Sequence, residues 1–222
     1  MTPANHAPIV LWDIDGTLLA AEGGGLSHYH RAMLVVMPDI ALPGMDTHGK
    51  TDWQVIHELL DAAGMERALA PAVSAALDCN ADVFLGSARA TLLPGVPEVL
   101  RQLHKRGLRN GLLTGNSELR SRNKLTGAGL DPGLIDWDCS FFGSRSSTRP
   151  DLARTARRTW PDTKLLIVGD TPLDGIAAAA AGIPFAAICT GVYRREDFAG
   201  IETVAILDAL DEHAADVIAG LV

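Results

Sequence analysis

Cysteine is scarce in this chain of 222 residues: Cys79, Cys139 and Cys189 stand far apart, odd in number and without a C-x-x-C pair. That pattern excludes a disulfide framework and a cysteine-based zinc site, and it fits a reducing compartment. Positive charge is short as well. Nineteen Lys and Arg face 27 Asp and Glu, a formal net charge of -8, which gives no electrostatic ground for binding DNA, RNA or anionic lipid. An anionic substrate would need a local cation or a metal ion. Long apolar runs are missing too. The longest mild stretch, Ile176 to Ile188, is alanine-rich and broken by Gly182 and Pro184, so no membrane span is expected. The opening MTPANHAP lacks the basic-then-apolar pattern of a signal peptide, and a cytoplasmic location is expected.

What is present is an ordinary globular composition, 47% apolar and 21% charged, long enough for one domain with a large insertion. Ile9 to Trp12 reads as a buried strand ending at Asp13. Gly23-Gly24-Gly25 then marks a break. From Leu26 to about Ala90 the pattern is helical, with Pro38 stopping a first helix, Thr51-Asp52 capping a second and Gly64 ending it. No convincing strand interrupts this stretch. Beyond Pro94-Gly95 strands and helices alternate. Strands are predicted at 108–113, 140–142, 165–168 and 185–189, and helices at 96–106, 117–128, 150–160 and 173–181. Alternation of this kind builds a parallel sheet covered on both faces. The expected fold is α/β: a Rossmann-like parallel sheet core (residues 1–19 and 93–222) with an inserted α-helical cap (20–92).

In such sheets ligands bind beyond the carboxyl ends of the strands. Three polar turns follow strands here: Asp13-Ile14-Asp15-Gly16-Thr17, Thr114-Gly115-Asn116 and Gly169-Asp170-Thr171-Pro172-Leu173-Asp174. A parallel sheet would gather them at one edge, bringing Asp13, Asp15, Asp170 and Asp174 together. Four carboxylates repel one another unless a cation sits among them, and hard oxygen ligands without His or Cys favour magnesium. An EF-hand is excluded, because the sixth and twelfth positions from Asp13 are Leu18 and Gly24 rather than Gly and Glu.

The segment Trp12-Asp13-Ile14-Asp15-Gly16-Thr17-Leu18 resembles motif I of the haloacid dehalogenase-like phosphatases. Leu112 to Asn116 resembles motif II, and Ile167 to Asp174 resembles motif IV. The likeness runs from about Ile9 to Tyr193 and is greatest to the phosphoglycolate phosphatase-like branch, which carries a helical cap between motifs I and II. Leu93-Pro94-Gly95-Val96 resembles the return from that cap. The resemblance implies a hydrolase of small phosphorylated metabolites, monomeric or homodimeric. Asp13 would be the nucleophile and form an aspartyl-phosphate. Asp15 would protonate the leaving oxygen and then activate water. Mg2+ would be held by Asp13, the Asp15 backbone carbonyl and Asp170, with Asp174 binding a metal-bound water or orienting the basic residue of motif III. Thr114, Asn116 and backbone N–H groups near Gly16 and Gly115 would hold the phosphoryl oxygens. One departure stands out. The family usually has a motif III lysine, whereas the best-placed residue here is Arg149, before Pro150 and near Arg145, Arg154, Arg157 and Arg158. Lys124 is a rival inside the helix after motif II, and Lys164 lies at the wrong end of a strand.

Gly44 to Thr51 matches the P-loop pattern G-x-x-x-x-G-K-[ST]. Its chance frequency, on the order of one chain in a few hundred, equals that of D-x-D-G-T, so context must decide. A P-loop follows a central strand, and three apolar residues between Pro38 and Pro43 are not one. Lys50 is instead expected on a cap loop, in contact with an anionic part of the substrate. His28, His48 and His57 form no metal-ligand pattern and are expected on the cap surface or pocket lining. Asp15 argues against dehalogenase chemistry, because the dehalogenases lack that second acid. The alternatives are a phosphate-shifting mutase or phosphonate hydrolase of the same superfamily, a P-loop nucleotide kinase, and a non-catalytic binding protein.

Overall fold

Complete burial of both faces of β1 (Ile9–Trp12) explains why the sheet is sandwiched. Val10 and Trp12 enter one hydrophobic cluster, while Ile9 and Leu11 enter another on the opposite face. The computed structural model describes residues 7–20, 25–80, 91–144, 146 and 148–222. The expected break at Gly23-Gly24, the helical pattern of 81–90 and Arg145 lie outside the described residues.

After β1 come β2 (Leu19–Ala20) and three helices, α1 (Gly25–Val36), α2 (Asp52–Ala62) and α3 (Ala70–Cys79). They are followed by β3 (Thr91–Leu92), α4 (Val96–Lys105), β4 (Arg109–Thr114) and α5 (Glu118–Gly127). The chain continues through β5 (Phe141–Phe142), α6 (Arg149–Thr159), β6 (Leu165–Gly169), α7 (Pro172–Ala181), β7 (Phe185–Ile188), β8 (Ala205–Leu207) and α8 (Glu212–Gly220). Six strands form one sheet in the order β5-β4-β1-β6-β7-β8, every neighbouring pair parallel. No helix among the described residues is long and apolar enough to cross a membrane.

The register places the chemistry. Trp12, the last residue of β1, pairs with Leu112 of β4 and Val168 of β6. Asp13, Thr114 and Asp170 therefore leave their strands within two residues of the same line.

Helices α1, α2 and α3 bury a core of their own, with Met33, Val55, Ile56, Leu59, Leu60, Val73 and Leu77 at its centre. Local chemistry fixes their ends. The Thr51 side chain accepts from the Gln54 N–H and caps α2, and Gly64 turns the chain with φ +69°. Two short strands frame the insertion. β2 and β3 pair antiparallel, Leu19 with Leu92, so the chain leaves and re-enters the sheet domain through a small ribbon that two-residue segments do not announce in sequence.

Candidate active site

The sheet's carboxyl edge forms the floor of a cavity of about 490 Å³, and α1, α2 and the loop 47–50 supply its other wall. The main anionic cluster is Asp13, Asp170 and Asp174. All three are buried, and each offers an oxygen within 4.8 Å of the others.

Asp13 follows β1 and its N–H donates to Val168 O at 2.9 Å. Arg149, the first residue of α6, spans two of these acids. Its Nη2 donates to Asp13 Oδ1 at 2.5 Å and its Nη1 donates to Asp174 Oδ1. Burial works against the Arg149 charge, but Asp13 and Asp174 outweigh it and raise its pKa. Arg149 is thus buried against two of these acids rather than lying on the surface.

Asp174 sits in the first turn of α7, in a capping box with Thr171. Thr171 N–H and Oγ1 donate to Asp174 Oδ2 at 3.1 and 2.8 Å. One Asp174 oxygen thus serves the helix cap and the other serves Arg149.

Asp170 accepts from Thr17 Oγ1 at 3.1 Å. Glycines make room for its carboxylate. A Cβ at Gly16, whose φ is +89°, would lie 2.1 Å from Asp170 Oδ2, and one at Gly191 would lie 1.8 Å away. Burial first, then Asp13 and Asp174, push the Asp170 carboxyl up to about 8. Burial and Asp13 push Asp174 up to about 6 against the pull of Arg149. This concentrated negative charge, all from oxygen donors, fits a hard divalent cation. Asp13 and Asp170 would hold it.

Asp15 faces elsewhere. Its carboxylate accepts from Lys124 Nζ at 2.8 Å (Oδ1) and 2.7 Å (Oδ2), and from Asn116 Nδ2 at 2.8 Å. Burial raises its pKa, but the Lys124 ammonium and these hydrogen bonds win and hold it at about 2. The side chain keeps 42% of its surface open, enough to meet a ligand in the cavity.

Thr114 is fully buried at the end of β4, and its Oγ1 accepts from Asn116 Nδ2 at 3.0 Å. The Gly16 N–H donates to Leu19 O at 2.8 Å. It is held inside its own turn, and the missing side chain leaves room for the Asp170 carboxylate. Gly115 allows close approach as well. Its carbonyl accepts from Asp52 N–H at 2.7 Å, and a Cβ there would lie 2.1 Å from Lys50 O.

Lys50 lines the cavity but pairs with Glu58 at 2.7 Å. The element before Gly44 is α1, and no strand lies between Val36 and Gly44, so the P-loop context is missing. His28 and His48 line the cavity, while His57 lies against the Trp53 ring at 4.9 Å between centroids.

Sequence reasoning named Lys124 only as a rival to Arg149 and did not single out Arg120, Asp52 or Tyr29 for the site, although all four line the cavity. Asp52 accepts from Tyr29 Oη at 2.6 Å, from Ser117 N–H at 2.8 Å and from Arg120 Nη1. The Arg120 guanidinium lies 5.5 Å from the centre of the Tyr29 ring. The readable signal was the i,i+4 spacing of Arg120 and Lys124 on the helix directly after motif II.

Comparison with known proteins points the same way. Residues 8–182 match the haloacid dehalogenase-like hydrolase family. The chain is 28% identical to tyrosine-protein kinase PtkA of Mycobacterium tuberculosis over 200 residues, 89% of this chain and 67% of that one. It is also 28% identical to the phosphoglycolate phosphatase of Rhodospirillum rubrum over 215 residues, 90% of this chain and 86% of that one. Among solved structures, CbbY from Rhodobacter sphaeroides in complex with phosphate superposes with a TM-score of 0.68 at 18% identity, covering 93% of this chain and 96% of that one. A predicted phosphatase from Clostridium acetobutylicum gives 0.70 at 16% identity, covering 96% and 99%. The chain belongs to the haloacid dehalogenase-like hydrolases.

Proposed function

We propose that this protein is a magnesium-dependent phosphatase that hydrolyses a small-molecule phosphate monoester through an aspartyl-phosphate on Asp13, with residues 20–92 acting as the cap. The observation that carries this reading is a buried aspartate gripped by Arg149 at 2.5 Å, with a second, open aspartate two residues on. Asp13 attacks phosphorus: a bond forms from its carboxylate oxygen as the bond to the leaving oxygen breaks. Asp15 would give that oxygen a proton, its carboxyl raised by the bound phosphate's charge above the low value it has in the free chain, and would later take one from the water that releases phosphate. Thr114 and Arg149 orient the transferring group, and the cavity walls from α1 and α2 limit water. Bound magnesium would screen the phosphate charge from the nucleophile and stabilise the transferring group.

A second reading rests on the likeness to a protein named as a tyrosine kinase. Both activities transfer phosphoryl groups. The Gly44–Thr51 segment does not support a P-loop route, so a kinase would also work through Asp13. Lys50, already paired with Glu58, gives little support to the Schiff-base chemistry of a phosphonate hydrolase.

The test is hydrolysis of p-nitrophenyl phosphate with magnesium or EDTA, by wild type, Asp13→Asn and Lys50→Ala. Activity is expected only with magnesium, lost in Asp13→Asn and retained in Lys50→Ala. Undiminished turnover by Asp13→Asn would sink the mechanism. Label passing from ATP to a tyrosine-containing peptide would select the kinase.

A further inference from the structure

Lys124 lies in the last turn of α5 and is only 7% exposed. A lysine so deep is costly unless its charge is met. Its ammonium meets both Asp15 oxygens, at 2.8 and 2.7 Å, and Asn116 Oδ1 at 2.9 Å. Asn116 closes the triangle. Its amide NH2 donates to Asp15 Oδ2 at 2.8 Å and to Thr114 Oγ1 at 3.0 Å, which aims the amide oxygen at Lys124. Arg120, one turn earlier on the same buried face, is neutralised separately by Asp52. The like charges of Arg120 and Lys124 at i,i+4 would disfavour the helix if each lacked its acid.

We infer that Lys124, through Asn116 and directly, is the positioning residue for Asp15. The inference rests on the proposed acid and base role of Asp15. An aspartate side chain with 42% of its surface open has rotamers to lose. Three donors from two residues fix both of its oxygens, and misplacing a reacting group by about 1 Å costs about 100-fold in rate. The lysine itself is nearly inaccessible, so its head is held on Asp15 by the burial of its stem.

The test compares leaving groups. p-Nitrophenolate departs without a proton, whereas phenolate leaves far more readily with one. kcat/KM reports the first transfer, so it is measured for p-nitrophenyl phosphate and phenyl phosphate on wild type, Asp15→Asn, Lys124→Met and Lys124→Arg. Asp15→Asn is expected to lose about 100-fold on phenyl phosphate and less than about 5-fold on the nitro compound. Lys124→Met should reproduce that bias at about 10-fold or more. Lys124→Arg should regain part of the loss. Equal losses on both substrates in Lys124→Met, or none, would overturn the inference. No bias in Asp15→Asn would instead overturn the role of Asp15. Should Lys124→Met fail to melt cooperatively, Lys124→Arg decides alone: its bias must lie between those of wild type and Asp15→Asn.

Discussion

One guanidinium joins the nucleophile candidate to a helix start: Arg149 contacts Asp13 after β1 and Asp174 at the first turn of α7. Removing it leaves two buried carboxylates facing each other. Arg149→Ala is expected to cost about 3–5 kcal/mol of stability and at least about 100-fold in kcat. Arg149→Lys keeps the charge but not the fork. It should recover most of the stability and little of the rate. Denaturant titration and steady-state kinetics on the two variants check this, and equal recovery of both would refute it.

The pH dependence of stability follows from Asp170 and Asp174, raised to about 8 and about 6 from an unfolded value near 3.9. Between those limits the metal-free folded chain holds protons that the unfolded chain has released. The two acids' contribution to stability is therefore full below about pH 4, falls as pH rises from there through about 6, and is lost above about 8. Magnesium competes for the same oxygens, so its stabilising effect should grow as pH rises over that range. Melting temperatures in EDTA and in magnesium, at about pH 5 and about pH 9, should show the divergence. A constant difference between the two curves would contradict it.

Gly16 is a test of space. A methyl group there meets Asp170 Oδ2 at 2.1 Å, and the residue's φ is +89°. Gly16→Ala should cost about 1–3 kcal/mol for backbone strain and abolish the magnesium-induced rise in melting temperature. Gly191→Ala, whose Cβ would press on the same oxygen at 1.8 Å, should abolish that rise without the strain of a positive φ. A preserved magnesium response in both variants would show that Asp170 is not a metal ligand.

The fold was legible because β1, β6 and β7 are apolar runs with turn residues behind them, because Leu112-Leu113 of β4 lead into Thr114-Gly115, and because α4 begins at Gly95-Val96-Pro97. β8 and α8 went unread. β8 is a three-residue edge strand, and alanine blurs the apolar stripe of α8. Asp13, Thr114 and Asp170 could be placed together because a parallel sheet aligns strand ends. Lys124 could not. The run Arg120-Ser121-Arg122-Asn123-Lys124 reads as a solvated face, yet α5 turns Arg120, Ser121 and Lys124 inward and leaves Leu119 47% exposed. The counter-charges that meet Arg120 and Lys124, Asp52 and Asp15, lie more than 60 residues away, and local sequence does not name them.

Asp52 and Arg120 are both nearly inaccessible. Truncating either one should cost about 3–5 kcal/mol. The double variant Asp52→Asn, Arg120→Met should be less damaged than the sum of the single variants, with a coupling of about 0.5–3 kcal/mol. Additive losses in urea titrations would show that the pair is incidental.

That same contact bears on folding. The helical insertion has its own hydrophobic core, which could melt by itself. Asp52 binds Tyr29 from α1, the Ser117 N–H ahead of α5, and Arg120 within α5. The buried charge at the start of α2 is thus satisfied only once the helix after β4 has formed. The insertion is made before that helix on the growing chain, so it waits for its counter-charge, and the two cores are expected to gain and lose order as one cooperative unit.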